Sequence, residues 1–291
     1  MNGILLIDKP QDWTSSDVVA KLRGVLHEKR IGHAGTLDPM ATGLLVLLLG
    51  RATRACAFAE AEDKEYRASL RLGLATDTQD ITGTPLREVD ASFVTDALLR
   101  ETLRRFEGEQ EQIPPMYSAI KHKGKKLYEI ARRGGEVERK PRPITVQRIE
   151  YTGRSGEDRL LDIACSKGTY VRTLCHDIGE SLGCGGCMSA LRRIRIGQFR
   201  VEEAHTIPEV IAAAAEGRAE ALLLPLDSLF AAHPALNVGA EEERRIRCGN
   251  EAALPGTPDG VWRVYNDAGA FLALARTEAG VLTTIKSFFE V

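Results

Sequence analysis

The stretch Gly32-His33-Ala34-Gly35-Thr36-Leu37-Asp38-Pro39-Met40-Ala41-Thr42-Gly43-Leu44-Leu45 lies between two clear patterns. Upstream, Thr14, Ser15, Ser16 and Asp17 offer capping side chains. Val18, Val19, Leu22, Val25 and Leu26 then recur at helical spacing, which predicts a helix running to about Lys29. Downstream, the apolar run over residues 44–49 predicts a buried strand. Residues 32–39, with their glycines and proline, read as a shaped loop. A glycine-rich loop can cradle phosphate, but this one has no GxxxxGK[ST] pattern and no GxGxxG between a strand and a helix. It holds one carboxylate, Asp38, fixed before a proline among glycines that let a ligand approach the backbone. Aspartates before proline also cap turns, so the loop alone leaves a catalytic and a capping role both open.

Outward from this loop, helices and strands mix without βαβ alternation. Residues 4–7 form a short apolar strand closed by Asp8-Lys9-Pro10. Tyr66, Ala68, Leu70 and Leu72 alternate with Glu65, Arg67, Ser69 and Arg71, a half-buried strand with Tyr66 at its start, where a side chain reaches a cleft. Phe93, Val94, Leu98, Leu99, Leu103 and Phe106 suggest a helix before Gly108, and Leu161, Ile163 and Cys165 a further strand. Val171, Leu174, Cys175, Ile178 and Leu182 fall on one helical face, stopped by Gly183; Ile194 and Ile196 are strand-like. The expected class is α+β, with a mixed, largely antiparallel sheet flanked by helices. Beyond residue 231 the texture changes. Residues 261–265 and 271–275 flank the hairpin signal Asn266-Asp267-Ala268-Gly269, and residues 281–285 supply another strand. The expected division is a large domain over 1–232 and a small C-terminal β-domain over 233–291.

The 291 residues suit one large domain plus a small one. The net charge of −2 excludes a uniformly basic coat. Over residues 120–148, however, Lys121, Lys123, Lys125, Lys126, Arg132, Arg133, Arg139, Lys140, Arg142 and Arg148 meet only Glu129, Glu136 and Glu138. Such a segment suits a polyanion bound at one face, or is a solvated surface loop. No apolar run is long enough to span a bilayer and the N-terminus lacks a basic leader, so a cytoplasmic protein with no membrane association is expected. Six cysteines are scattered and read as reduced. Cys184-Gly-Gly-Cys187 has zinc-site spacing, and Cys175 and His176 could join it, but no second pair follows; plain buried thiols and no metal are expected.

The opening stretch resembles the signature of the TruB-type tRNA pseudouridine-55 synthases. Further motifs resemble that family in family order: Asp8-Lys9-Pro10 with Thr14-Ser15, Lys64-Glu65-Tyr66, Ile113-Pro114-Pro115-Met116-Tyr117-Ser118-Ala119-Ile120-Lys121, Gly168-Thr169-Tyr170-Val171-Arg172-Thr173-Leu174, and Leu191-Arg192-Arg193. The resemblance implies an isomerase that breaks the N-glycosidic bond of a flipped-out uridine in the T-loop of tRNA, turns the base and rejoins it through carbon 5, with no metal or organic cofactor. It makes Asp38 the catalytic carboxylate, ionised at neutral pH given a model value near ~3.9. Arg172 becomes its ion-pair partner, Tyr66 stacks on the base beside the carbon-5 proton, Tyr170 and Leu191 line the pocket, His33 contacts RNA, and Lys9 supports the pocket. Residues 120–148 correspond to an inserted, mobile RNA clamp and the tail to a PUA-like domain. The partner is the tRNA T-arm, no protein partner is implied, and a monomer is expected. One departure is Asp12, where relatives usually carry glycine. Two other readings are an RNA-binding module that aids tRNA folding without catalysis and a guide-RNA-dependent relative; the basic insertion and short tail favour a stand-alone enzyme.

Overall fold

The computed structural model describes residues 1–289; Glu290 and Val291, the end of the expected C-terminal domain, lie outside the described residues. The chain opens with β1 (Gly3–Lys9) and α1 (Ser15–Leu26). Thr14 caps the helix reciprocally: the Asp17 amide donates to the Thr14 hydroxyl at 3.0 Å and the Thr14 amide to the Asp17 carboxylate at 2.9 Å. The helix stops at Leu26 rather than about Lys29, because His27 turns left-handed (φ +52°).

The loop expected over residues 32–39 is also shorter. Gly32, His33 and Ala34 belong to β2 (Ile31–Ala34), which pairs antiparallel with β3 (Thr42–Leu49). The reason lies in the apolar β3, whose Leu44–Leu49 residues are all buried. Its start lies against a later strand and its second half against β2, so the buried backbone groups of residues 46–49 find partners.

Next come α2 (Cys56–Ala61), β4 (Lys64–Leu72), the short pair β5 (Leu74–Thr76) and β6 (Pro85–Glu88), and α3 (Asp96–Arg104). Thr95 caps α3, so Phe93 and Val94 precede the helix expected to include them. β7 (Gly108–Gln112) leads into a hairpin of β8 (Lys121–His122) and β9 (Lys125–Lys126), then α4 (Leu127–Ala131). β10 (Arg142–Ser155) and β11 (Asp158–Cys165) return to the sheet. The basic segment expected over 120–148 is therefore divided: Arg142 and Arg148 sit on β10, whose pairing with β7 and β11 makes that part a fixed portion of the sheet. α5 (Val171–Ser181), β12 (Gly186–Ile196), β13 (Phe199–Arg200) and α6 (Ile207–Ala215) complete this part.

Among the described residues, nine strands form one sheet in the order β1-β3-β12-β4-β11-β10-β7, with β2 on β3 and β13 on β12. Every pairing is antiparallel except β3 with β12, which confirms the α+β class. At that parallel contact Gly43 faces Arg193; a Cβ on Gly43 would fall 2.3 Å from the Arg193 carbonyl oxygen, so only glycine lets the strands meet. On one face, Tyr66, Ala68 and Leu70 of β4 pack with Leu191 of β12 beneath Leu99 of α3 and Val171, Leu174 and Ile178 of α5. Val18, Leu22 and Leu26 of α1 cover Leu5, Ile7, Leu45 and Leu47 nearby.

The tail holds β14 (Ala235–Val238), α7 (Ala240–Arg247), β15 (Ala252–Ala253), β16 (Gly260–Asn266), β17 (Phe271–Glu278) and β18 (Val281–Ser287), in a sheet ordered β14-β16-β17-β18-β15. It has its own core around Val238, Ile246, Val264 and Leu282. It also docks on the opposite face of the large sheet, where Phe230, Phe271 and Phe288 cluster against Ile4, Leu6 and Leu44.

Candidate active site

Asp38 stands in the turn between β2 and β3, a turn pinned on both sides. The Leu37 amide donates to the buried Ser15 hydroxyl at 2.9 Å. Beyond Asp38, the Pro39 carbonyl accepts from the Asp12 amide at 2.8 Å and from Lys9 Nζ at 3.3 Å. Asp12 takes φ +65°, the left-handed region, where a glycine would be unstrained. Lys9, 0% exposed, also donates to the carbonyls of Pro10 (2.9 Å) and Trp13 (2.6 Å), and so knits β1, the entry to α1 and the Asp38 turn together. Burial lowers its pKa to about 8, against the pull of nearby Asp38.

Arg172 enters from the first turn of α5 and is 6% exposed. Its Nε is 3.0 Å from Asp38 Oδ2, and a second nitrogen donates to Oδ1 at 3.4 Å. The same guanidinium lies 3.5 Å from the buried carboxylate of Asp80 and donates to the carbonyls of Thr78 (3.2 Å) and Tyr117 (2.7 Å). Arg172 therefore joins the Asp38 turn, the β5–β6 connection and the start of the basic excursion. Asp80 is held for this contact by the Thr78 hydroxyl (2.9 Å), the Thr82 amide (3.0 Å) and the Thr82 hydroxyl (2.5 Å).

Two carboxylates thus share one guanidinium. The Asp38 side chain keeps 36% of its surface open to solvent. Its pKa is raised: desolvation by the pocket walls outweighs the pull of Arg172, and Asp80 pushes in the same direction as desolvation. The pair orients the carboxylate without restoring an ordinary aspartate's acidity.

Tyr66 lies in the same apolar cluster as Leu37, Ala41 and Leu191. Burial pushes its phenol up to about 12, so the hydroxyl is neutral and a donor at physiological pH. Tyr170 precedes α5 and is locked by Gln112: its amide donates to Gln112 Oε1 at 2.8 Å while Gln112 Nε2 donates to its carbonyl at 3.1 Å. Its hydroxyl pKa is also raised by burial, with Arg172 pulling it down and Asp38 pushing it up. Leu191 is buried opposite Ala68 in the β4–β12 pairing. His33 stands apart: half-buried on β2 opposite Leu47, it is held below its usual pKa by burial and then by Arg193, and its Nδ1 is buried without a partner.

The structure so brings together Asp38, Arg172, Tyr66, Tyr170, Leu191 and Lys9. The CxxC cysteines lie elsewhere; burial pushes Cys187 up to about 11, and among the described residues no cluster of His, Cys, Asp or Glu is arranged to hold a metal. Sequence reading missed Asp80 and Gln112, and it quoted Ser15 and Arg193 within motifs without giving either a role. The run Thr78-Gln79-Asp80-Ile81-Thr82-Gly83-Thr84 carried a signal for Asp80, a carboxylate among hydroxyl side chains that can solvate it, but nothing linked it to Arg172.

Known proteins resemble this chain in sequence and in fold. The N-terminal domain model of the TruB family of pseudouridylate synthases matches residues 23–171, and the C-terminal domain model of tRNA pseudouridylate synthase B matches 172–231. A tRNA pseudouridine synthase B from Aromatoleum aromaticum is 44% identical over 96% of this chain and 89% of its own length. One from Syntrophotalea carbinolica is 46% identical over 89% of this chain and 83% of its own. Among solved structures, a chain of a Cbf5-Nop10-Gar1 complex superposes with a TM-score of 0.76 at 26% identity, covering 99% of this chain and 85% of that one.

Proposed function

Because the chain belongs to the TruB family of pseudouridine synthases, we propose that it isomerises uridine 55 in the T-loop of tRNA, with Asp38 as the catalytic carboxylate. It is a tRNA pseudouridine synthase, an isomerase. The observation that carries the assignment of Asp38 is its 3.0 Å ion pair with buried Arg172, in a solvent-reachable turn beside Tyr66. A side chain that merely capped a turn would have no use for a buried guanidinium.

In the reaction the bond from N1 to the ribose C1′ breaks, a bond from C5 to C1′ forms, the proton on C5 departs and N1 takes one up. Atoms balance with no oxidant or reductant. Asp38 meets the reacting nucleoside, Arg172 holds the carboxylate in one orientation, and Tyr66 lies against the base with its hydroxyl toward the carbon-5 proton. Tyr170 and Leu191 close the pocket walls, Lys9 buttresses the turn, and His33 meets RNA outside the pocket. Extrusion of the base costs a few kcal/mol, roughly, offset by stacking and backbone contacts.

The excursion between β7 and β10 is the RNA clamp. Its hairpin places Lys121 beside Lys126, and Tyr128 is flanked by the cations of Lys126 and Arg132. Such groups suit phosphate contact that positions the T-arm without reading sequence. We divide the chain into a catalytic unit, 1–232, and a PUA-like unit, 233–291, acting as a cytoplasmic monomer; no helix of the described residues is long and apolar enough to cross a membrane.

Tritium release from tRNA labelled at uridine carbon 5, with no cofactor added, tests the reading. Stoichiometric release of one tritium per tRNA is expected, lost with a uridine-55-to-cytidine transcript. Tight tRNA binding without release would instead favour an RNA-folding role.

A further inference from the structure

We propose that Gln112 is a positioning residue of the isomerisation: with both ends of its carboxamide on the backbone of Tyr170, it joins the root of the RNA clamp to the first turn of α5 and so holds Arg172 against Asp38. The inference rests on the assignment of Asp38 and Tyr170 to the reacting nucleotide.

β7 is a polar strand at the edge of the sheet, and Gln112, at its end, is the residue it buries, 4% exposed. A buried carboxamide needs partners for both its donor and its acceptor. A single residue 58 positions away supplies them: the Tyr170 amide donates to Oε1 at 2.8 Å, and Nε2 donates to the Tyr170 carbonyl at 3.1 Å. The side chain does for one residue what a neighbouring strand would do. The same Tyr170 carbonyl accepts from the Leu174 amide at 3.0 Å, so it also opens the hydrogen-bond ladder of α5. Tyr170 stands at the N-cap of that helix and offers it no side-chain cap, where serine, threonine or aspartate would. Its ring serves the pocket wall, and the start of the helix is set from outside, by Gln112.

A second tie runs the other way. Arg172 donates to the Tyr117 carbonyl at 2.7 Å. Residues 112–117 and 170–172 therefore close a ring, joined at one end by the Gln112 side chain and at the other by the Arg172 side chain. Between the ties stand Pro114 and Pro115, both buried, whose rings fix φ and stiffen the spacer. Arg139, on the returning limb of the excursion, donates to the Pro114 carbonyl at 3.2 Å. Gln112 also faces Arg142 in the β7–β10 pairing, the rung at which the excursion leaves and rejoins the sheet. Clamp and catalytic pair thus share one support. A guanidinium that must meet Asp38 at 3.0 Å and Asp80 at 3.5 Å tolerates little movement of the helix that carries it.

Gln112→Met keeps most of the volume and removes both bonds. Its effect is read by single-turnover tritium release at saturating protein from about pH 5.5 to about 8.5, with tRNA affinity and the urea midpoint measured beside it. The variant is expected to slow the step about 10-fold or more, with affinity changed less than about 3-fold. Asp38 is faced by Arg172 from α5, Asp80 from the β5–β6 connection and Lys9 from β1. With Arg172 displaced, its pull on the carboxylate weakens, and the midpoint of the pH–rate profile should rise by about half a unit or more. A role confined to stability would lower the urea midpoint and leave the pH midpoint in place. An unchanged pH midpoint, or an unchanged rate, in the folded variant would overturn the proposal. Should Gln112→Met not fold, Gln112→Asn, whose carboxamide is one methylene short of Tyr170, decides by the same two readouts. Absence of turnover in the unmodified protein would instead refute the functional assignment itself.

Discussion

Removing Arg172 should destabilise the fold in a way that depends on pH. Arg172→Met keeps much of the volume and deletes the charge. Asp38 is partly open, so water replaces some of what its partner gave, and the loss there is the smaller of the two. Asp80 is 5% exposed and keeps only its hydroxyl and amide partners. The carbonyls of Thr78 and Tyr117 each lose a charged donor. Breaking a buried pair by removing one partner costs about 3–5 kcal/mol, and most of that belongs to Asp80 here. In a chain of this size the melting temperature should fall by roughly 10 °C. The stranded carboxylate is relieved by a proton, so the difference from the unmodified protein should shrink as pH falls from 7.5 to 5. Urea denaturation of both proteins at the two pH values measures this directly. A loss below about 1 kcal/mol at pH 7.5, or one equally large at pH 5, would refute the view that Arg172 neutralises a buried acid network.

Other outcomes follow from the same geometry. Since the folded-state pKa of Asp38 is raised, ionising it costs stability; Asp38→Asn should abolish turnover, spare tRNA binding and unfold no earlier at neutral pH. That stability advantage should vanish below the unfolded aspartate value near ~3.9, where Asp38 is protonated in both states; chemical denaturation across pH checks the sign. Turnover that needs the Asp38 carboxylate should rise with pH through a value above the ordinary aspartate range, as a single-turnover pH–rate profile would report. Asp12→Gly should raise stability by about 0.5 kcal/mol in urea unfolding by relieving the left-handed backbone, with no change in rate. Replacing Lys121, Lys123, Lys125 and Lys126 by glutamine should weaken tRNA binding and reduce its salt slope by roughly 2–3; an unchanged slope would mean that the hairpin does not touch phosphate.

Much of the fold was legible because it is periodic. The alternation in β4 and the helical face of α5 come from burial of one side, and both elements appear where the pattern puts them. What was not legible depended on distant partners. Residues 32–34 look like loop until β3 is seen to leave a buried edge unpaired. The basic character of residues 142–148 hid a strand because charge reports exposure and not backbone pairing. In the site, Asp38, Tyr66 and Arg172 were visible through family motifs, whereas Asp80 and Arg193 were not singled out. Their placements rest on one guanidinium reaching a residue 92 positions back in one case, and on a buried cation facing two carbonyls in the other. Neither arrangement leaves a local pattern in sequence.

The most direct measurement is mapping of pseudouridine by carbodiimide adducts and primer extension on an unmodified tRNA transcript, after incubation with the protein or with its Asp38→Asn variant. A single stop reporting modification at position 55, seen with the unmodified protein and absent with the variant, is the expected result. A stop at another position, or the same stop produced by Asp38→Asn, would contradict the assignment of target and catalytic carboxylate.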